Sequence, residues 1–411
     1  MSFVLGVVLF ALAIGVSIAL HEAGHMWTAK AFGMRVRRYF IGFGPTIWSF
    51  HRGGTEYGLK AIPAGGFCDI AGMTGMDPVT VDEAPRAFFR KPTWQRVIVL
   101  SAGSMAHFII AIFIIYLLAV TAGLPILSAD PRAAPATVGS TACVPPTQDR
   151  LTGEAAPCPA GGMSPASAAG LRPDDRIISV GGVAVSSFVD VSTEVRKHIG
   201  PTVFVIERSG QRLDVTVDAI PVERLHAGSK PNNPDNRLET VGAIGVGPKY
   251  VLSYSPLAAL PATVDFTGQM FVETGKGLMK FPEKLPTVLA AIAGQPRDLD
   301  GPISVVAASS LGGQAAERGA WLTFGMLLVA LNIFIGVFNL LPLLPLDGGH
   351  IAVNLYERVR DLARSRLGKV KMPPVDYTRL LPVTYVFILV LGAISLLTIT
   401  ADIINPIKLP E

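Results

Sequence analysis

Phe3-Val-Leu-Gly-Val-Val-Leu-Phe-Ala-Leu-Ala-Ile-Gly-Val-Ser-Ile-Ala-Leu20 carries no charge over 18 residues and runs straight into His21-Glu22-Ala23-Gly24-His25. An apolar run approaching roughly 20 residues can cross a bilayer as a helix. Ionisable groups at the end of such a run are costly to hold there, and they point to function. On a helix, positions i and i+4 share a face, so His21 and His25 can bind one zinc ion. Glu22 is then placed to act as general base on a water at that metal. The run lacks a basic n-region and a small-residue cleavage site, so it reads as a retained span.

Three more windows are free of charge: 97–127, 319–346 and 380–401. Across 411 residues, 50% are hydrophobic and 16% charged, against about 25% charged in soluble domains. Mean hydropathy is +0.46. The fold class this predicts is a polytopic α-helical membrane protein with about four transmembrane helices and an aqueous insert. The composition excludes a disordered chain, and three cysteines exclude a small disulfide scaffold. A scattered net charge of +4 gives no nucleic-acid partner.

Basic residues near helix ends predict orientation. Lys30, Arg35, Arg37 and Arg38 follow the first window, and Arg90, Lys91 and Arg96 precede the second. Arg358, Arg360, Arg364, Arg366, Lys369, Lys371 and Arg379 fill the last connection. Residues 31–93 and 350–379 are therefore expected in the cytoplasm. Both termini and the long segment 128–318 are expected outside, in a multi-pass cell-membrane protein. Cys143 and Cys158 fall in that outer segment, where an oxidising compartment would pair them, contributing about 3 kcal/mol by loop closure.

A catalytic zinc usually takes three protein ligands and keeps one position open. Asp347 is the candidate for the third. It closes the third window within Asn339-Leu-Leu-Pro342-Leu-Leu-Pro345-Leu-Asp347-Gly348-Gly349-His350. A carboxylate at membrane depth costs roughly 2.5–3.5 kcal/mol unless compensated, and zinc would compensate it. The charge pattern puts both motifs near the cytoplasmic ends of their helices. His350 is a rival ligand.

With these motifs in place, the chain resembles the site-2 protease family of intramembrane zinc metalloproteases (M50 type) over nearly its whole length. It looks most similar to the actinobacterial regulator-of-sigma-factor type. His21-Glu22-x-x-His25, Asn339-x-x-Pro342, Leu346-Asp347-Gly348 and Phe67-Cys68-Asp69 carry the resemblance. It implies cleavage within the membrane span of a single-pass protein, often an anti-sigma factor already cut outside by a site-1-type protease. It also implies His21, His25 and Asp347 as zinc ligands and Glu22 as base. One departure stands out. Where family members often carry Gly-Pro-x-x-Asn, this chain has Gly103-Ser104-Met105-Ala106-His107, leaving His107 in an apolar helix with no partner evident from sequence.

Thr46–Phe50 and Thr55–Ile62 read as short strands joined by His51-Arg52-Gly53-Gly54. The second runs into Gly65-Gly66-Phe67. A helical substrate must unwind to be cut, and its freed backbone groups then need partners. An edge strand beside the zinc, with Gly65, Gly66 and Phe67 as candidate contacts, would supply them by strand addition. Asn339 is a further substrate-binding candidate, for the backbone or a developing oxyanion, with Asn332 a weaker one. Ser164 to Gly182 resembles the central segment of a PDZ domain. Such an insert would either capture clipped substrates or, as bulk over the site, exclude proteins with large ectodomains.

The organisation this predicts is a first span with the zinc motif at 1–33, then a cytoplasmic-side loop at 34–93 with a membrane-associated β-hairpin at 46–67. A second span follows at 94–127. The outer segment covers 128–240, with the PDZ-like α+β insert at about 140–222 and a linker at 223–240. An amphipathic region at 241–318 leads to a third span at 319–350, a cytoplasmic loop at 351–379, a fourth span at 380–404 and a tail at 405–411. Two rivals predict different observables: metal flux for a transporter, and bound zinc without turnover for an inactive membrane-protein binding module.

Overall fold

The computed structural model describes residues 2–74, 76–127, 134–158, 162–226, 229, 233, 235–295, 297, 301–370 and 372–409. Expected boundaries or linker residues at 128–133, 227–228, 230–232 and 234 lie outside these. The chain divides into two compact units, 1–122 with 254–411, and 123–253.

The first unit is helical. Four of its helices are long and apolar enough to cross a membrane: α1 (Phe3–Ala31), α2 (Thr93–Thr121), α7 (Trp321–Asn339) and α9 (Leu381–Ile404). Three further helices are α5 (Pro256–Ile292), α6 (Val305–Glu317) and α8 (Asp347–Arg366). α1 packs on α2 and α6, and α2 also packs on α5, α7 and α8. Small residues let these backbones approach closely, as is usual in membrane bundles. A Cβ on Gly6 would stand 2.9 Å from Gly313 Cα.

Here the structure refines the expected boundaries. Segment 319–350 is not one span, because α7 ends at Asn339 and Asp347 opens α8. Pro342 and Pro345 lack the N–H that would continue the helix. Segment 351–379 is largely the rest of α8. Segment 241–318 contains α6, whose Ala307, Ala308, Leu311, Ala315 and Ala316 are buried. Gly301-Pro302-Ile303-Ser304 acquires an anchor: the Asp402 carboxylate of α9 accepts from Ser304 N–H at 2.7 Å and from Arg297 Nη2 at 2.5 Å.

Between α1 and α2, the two short predicted strands are longer: β1 (Val36–Arg52) and β2 (Thr55–Ile70). Both bend. Tyr39 pairs with both Cys68 and Tyr57, and Ser49 pairs with Gly58. The segments therefore lie side by side in the order 46–52, 55–60, 36–43, 66–70. Among the described residues no strand pairs with the outer edge of 66–70. Tyr39 Oη donates to Ala19 O at 2.7 Å and Lys30 Nζ to Tyr57 Oη at 2.6 Å, seating this sheet on α1. Phe43, Ile47, Trp48, Phe50, Leu59 and Ile62 are exposed on it, an apolar surface of the kind that meets a membrane or a partner.

The second unit is β-rich, with β3 (Leu124–Pro125), β4 (Val138–Thr141), α3 (Pro165–Ala168), β5 (Arg176–Val180), β6 (Val183–Ala184), α4 (Phe188–Val195), β7 (Gly200–Arg208), β8 (Gln211–Leu225), β9 (Leu238–Ala243), β10 (Val246–Pro248) and β11 (Val251–Leu252). A five-stranded sheet runs β6-β5-β7-β8-β9. Alternation along β7 turns Thr202, Phe204 and Ile206 inward. There Phe204 and Ile206 meet Val138, Ile177, Val191 and Val217. The expected linker forms the end of β8, the connection to β9 and the start of β9. Cys143 and Cys158 are disulfide-bonded.

Asp175 anchors this core. Its carboxylate pairs with Arg208 Nη2 at 2.6 Å and is almost fully enclosed. Burial pushes its pKa up, but the Arg208 hydrogen bonds and the Arg172 backbone N–H outweigh this, leaving it below the ordinary carboxylate value. A depressed carboxylate contributes stability above its unfolded pKa of about 3.9 that is lost as pH falls through the folded value. The melting midpoint of the protein is expected to drop as pH falls from about 5 through the folded value. Asp175→Asn should flatten that dependence and cost on the order of 3 kcal/mol at neutral pH. Calorimetry across that range checks both.

Candidate metal centre

α1 carries His21 and His25 one turn apart, with their rings edge to face at a centroid distance of 4.8 Å. Both residues are buried, and their Nε2 atoms are 3.2 Å apart. Asp347, in the first turn of α8, brings Oδ2 to 3.4 Å from His21 Nε2 and 3.3 Å from His25 Nε2. Gly348 and Gly349 make this approach possible. A Cβ on either would fall within 2.2–2.6 Å of the 340–344 backbone, so the turn after α7 folds directly onto the start of α8.

The chemistry of these three atoms asks for a cation. His25 Nδ1 donates to Val99 O at 2.7 Å, which leaves its Nε2 as a lone pair. The two lone pairs and the carboxylate oxygen face one another, and three acceptors repel unless something positive sits between them. Zinc with ligands at about 2.0–2.1 Å in a tetrahedron has ligand–ligand edges of about 3.3–3.4 Å. The observed edges of 3.2, 3.3 and 3.4 Å match this. Among the described residues this is the one cluster of three metal-competent groups.

Glu22 lies between the two histidines in sequence and is half-buried beside the sheet. A Cβ on Gly66 would stand 3.0 Å from Glu22 Cγ and 3.0 Å from Phe40 O. Gly66 therefore lies against the Glu22 side chain, whose carboxylate accepts from the Cys68 backbone N–H.

The comparisons bear directly on this arrangement. The model of the peptidase family M50 matches residues 9–372, a span that includes all three cluster residues and Glu22. The chain belongs to peptidase family M50. It is 47% identical over 413 residues to the zinc metalloprotease Rip1 of Mycobacterium tuberculosis, covering all of both chains. Identity to Rip1 of Mycolicibacterium smegmatis is also 47%, over 418 residues and again all of both chains. It is 27% identical to the regulator of sigma-E protease RseP of Salmonella typhimurium, over 85% of this chain and 90% of that one.

Other candidates in this M50 chain fall differently. Gly65, Gly66 and Phe67 all lie on β2, and Phe67 stacks on Phe40 at 5.6 Å. Asn339 ends α7, half-buried, and its side chain has no hydrogen-bond partner among the described residues. The structure does not tie it to the histidines. His350, the rival ligand, stacks on Tyr377 at 5.6 Å and lies outside the cluster.

Two features escape a reading of the sequence. Gly103 of α2 faces the cluster: a Cβ there would lie 2.4 Å from His25 Nε2 and 2.7 Å from His21 Nε2. In the sequence it shows as a glycine inside an apolar helix, shared with the start of the resembled Gly-Pro-x-x-Asn run, with no sign of what it faces. His107 finds its partner 225 residues away, in Asn332 of α7 at 2.8 Å.

Proposed function

We propose that this chain is an intramembrane zinc metalloendopeptidase performing regulated intramembrane proteolysis. It hydrolyses a peptide bond within the span of single-pass membrane proteins, with anti-sigma factors already trimmed outside by a site-1-type protease as the first candidates. The observation that carries the reading is the His21–His25–Asp347 triangle on α1 and α8 with Glu22 beside it, in a unit with four helices long enough among the described residues to span a bilayer.

In this reading His21, His25 and Asp347 hold the zinc ion. When bound, it supplies Lewis-acid polarisation of the scissile carbonyl and acidifies a water. The Glu22 carboxylate takes the proton of the attacking water and returns it to the leaving amine nitrogen. Substrate enters unwound, and its freed backbone groups pair with the open 66–70 edge through Gly65, Gly66 and Phe67. The exposed aromatics of β1 and β2 seat the sheet in the membrane interface. Asn339, at the end of α7, holds substrate backbone or donates to the oxyanion. The β-rich unit is a PDZ-like extracytoplasmic insert, with both termini on the same side of the membrane. Its disulfide between Cys143 and Cys158 suits that compartment.

Gly66→Val tests the close fit of β2 to the base Glu22. A side chain there meets Glu22 Cγ and Phe40 O, so cleavage is expected to fall at least tenfold while zinc stays bound, read by turnover and metal analysis. The whole reading is tested by incubating the purified protein with single-span anti-sigma fragments trimmed outside, then mapping the product ends by mass spectrometry. Ends within the span support it. Ends only outside the span, or no cut by zinc-loaded protein across the panel, count against it.

A further inference from the structure

A metal-bound histidine usually donates its second ring N–H to an acceptor, which fixes its tautomer and orientation. His25 does so, to Val99 O. His21 does not: its Nδ1 is buried with no hydrogen-bond partner among the described residues. With Nε2 turned to the cluster, Nδ1 is the nitrogen that carries hydrogen, so a buried donor stands unmet.

The neighbouring ring offers an unmet acceptor. His107 is 1% exposed, and its centroid lies 5.1 Å from that of His21. Its protonation pattern follows from a chain of bonds. Asn332 Nδ2 donates to Leu328 O at 2.8 Å, so Asn332 Oδ1 is the atom that faces His107. Because Oδ1 can only accept, the His107 nitrogen 2.8 Å away, Nδ1, must be the donor. His107 Nε2 is left as a lone pair, and no protein donor among the described residues is bonded to it. Two imidazoles whose nitrogens face one another at about 2.9 Å have centroids about 5 Å apart. The rings stand at that separation, tilted by 45°. His21 Cε1 lies 2.6 Å from where a Gly103 Cβ would be, which sets the imidazole of His21 against α2, the helix that carries His107.

We propose that His107, oriented by Asn332, is the positioning residue for the zinc ligand His21, accepting the His21 Nδ1 proton on its Nε2. The relay Leu328 O–Asn332–His107–His21 ties α7 and α2 to the metal-bearing face of α1. It occupies the place where the resembled pattern has asparagine, so it is a property of this chain's own residues. The inference rests on the zinc reading above.

The test is the zinc dissociation constant of the full-length protein, measured by chelator competition, with the melting midpoint of the metal-free protein as a fold control. His107→Phe keeps the ring volume but has no acceptor, and it should weaken zinc 10- to 100-fold. His107→Gln restores an acceptor and should return affinity to within a few-fold of wild type. Asn332→Leu frees the His107 ring and should weaken zinc in the same direction. The double variant His107→Phe/Asn332→Leu should be no weaker than the worse single one, because Asn332 acts only through His107. Wild-type affinity in a folded His107→Phe protein overturns the proposal. So does a folded His107→Gln protein as weak as His107→Phe, or additive losses in the double variant. If His107→Phe does not fold, Asn332→Leu and His107→Gln decide by the same criteria. Failure of the zinc reading itself looks different: wild type then binds no zinc in the same titration.

Discussion

Replacing Glu22 with glutamine is expected to leave one zinc per chain and to lower cleavage by a factor on the order of 10²–10⁴, the usual contribution of a positioned acid–base group. Glutamine has the shape of glutamate, so the close packing of Glu22 Cγ beside Gly66 is kept. The three cluster atoms come from His21, His25 and Asp347, so removing the Glu22 charge takes away no ligand. What is lost is the basic carboxylate that takes a proton from water; an amide oxygen keeps its lone pairs but is too weak a base. Single-turnover cleavage with metal analysis of the same sample separates the two effects. Cleavage near the wild-type rate with zinc bound would remove Glu22 from the base role.

Gly103→Ala should have an effect of similar size by a different route. Alanine is the better helix former by about 1 kcal/mol, so on propensity alone α2 gains. At this position, however, the added methyl would lie 2.4 Å from His25 Nε2, 2.6 Å from His21 Cε1 and 2.7 Å from His21 Nε2. α2 has little room to withdraw, since Gly24 of α1 already lies against it: a Cβ on Gly24 would be 2.5 Å from Ala102 O. The imidazoles must move, and ligand atoms displaced by several tenths of an ångström no longer describe a tetrahedral edge. The expected result is a folded, helical protein without stoichiometric zinc and without cleavage. Circular dichroism and metal analysis read it. Full zinc occupancy in this variant would mean the ligands are not held against Gly103.

The candidate metal ligands are legible in the sequence because their chemistry is local or nearly so. His21, Glu22 and His25 are set by one helical turn, and Asp347 by being a carboxylate beside an apolar window. What the sequence hides depends on distant pairing. His107 reads as an unpartnered histidine because Asn332 lies 225 residues on. Gly103 reads as a weak helix position because the ring atoms it admits belong to another helix. The strands of the sheet extend past their predicted ends, since the alternation at 46–50 and 55–62 says nothing of the second pairing that recruits 36–43 and 66–70. The third span reads as one window through Asp347 because hydropathy does not register that Pro342 and Pro345 break the helix. α6 is obscured because its buried face, Leu311 apart, is built from alanine and glycine, which carry little hydropathic signal.

The central claim is that groups from opposite ends of the chain hold one catalytic zinc. It is tested most directly by X-ray absorption at the zinc edge on the full-length protein in a bilayer mimic, with metal content measured on the same sample. The account predicts one zinc per chain, two imidazole nitrogens and oxygen ligands at about 2.0–2.2 Å, with the signal lost in Asp347→Ala. A sulfur ligand, or undiminished zinc with the same shell in Asp347→Ala, would contradict it.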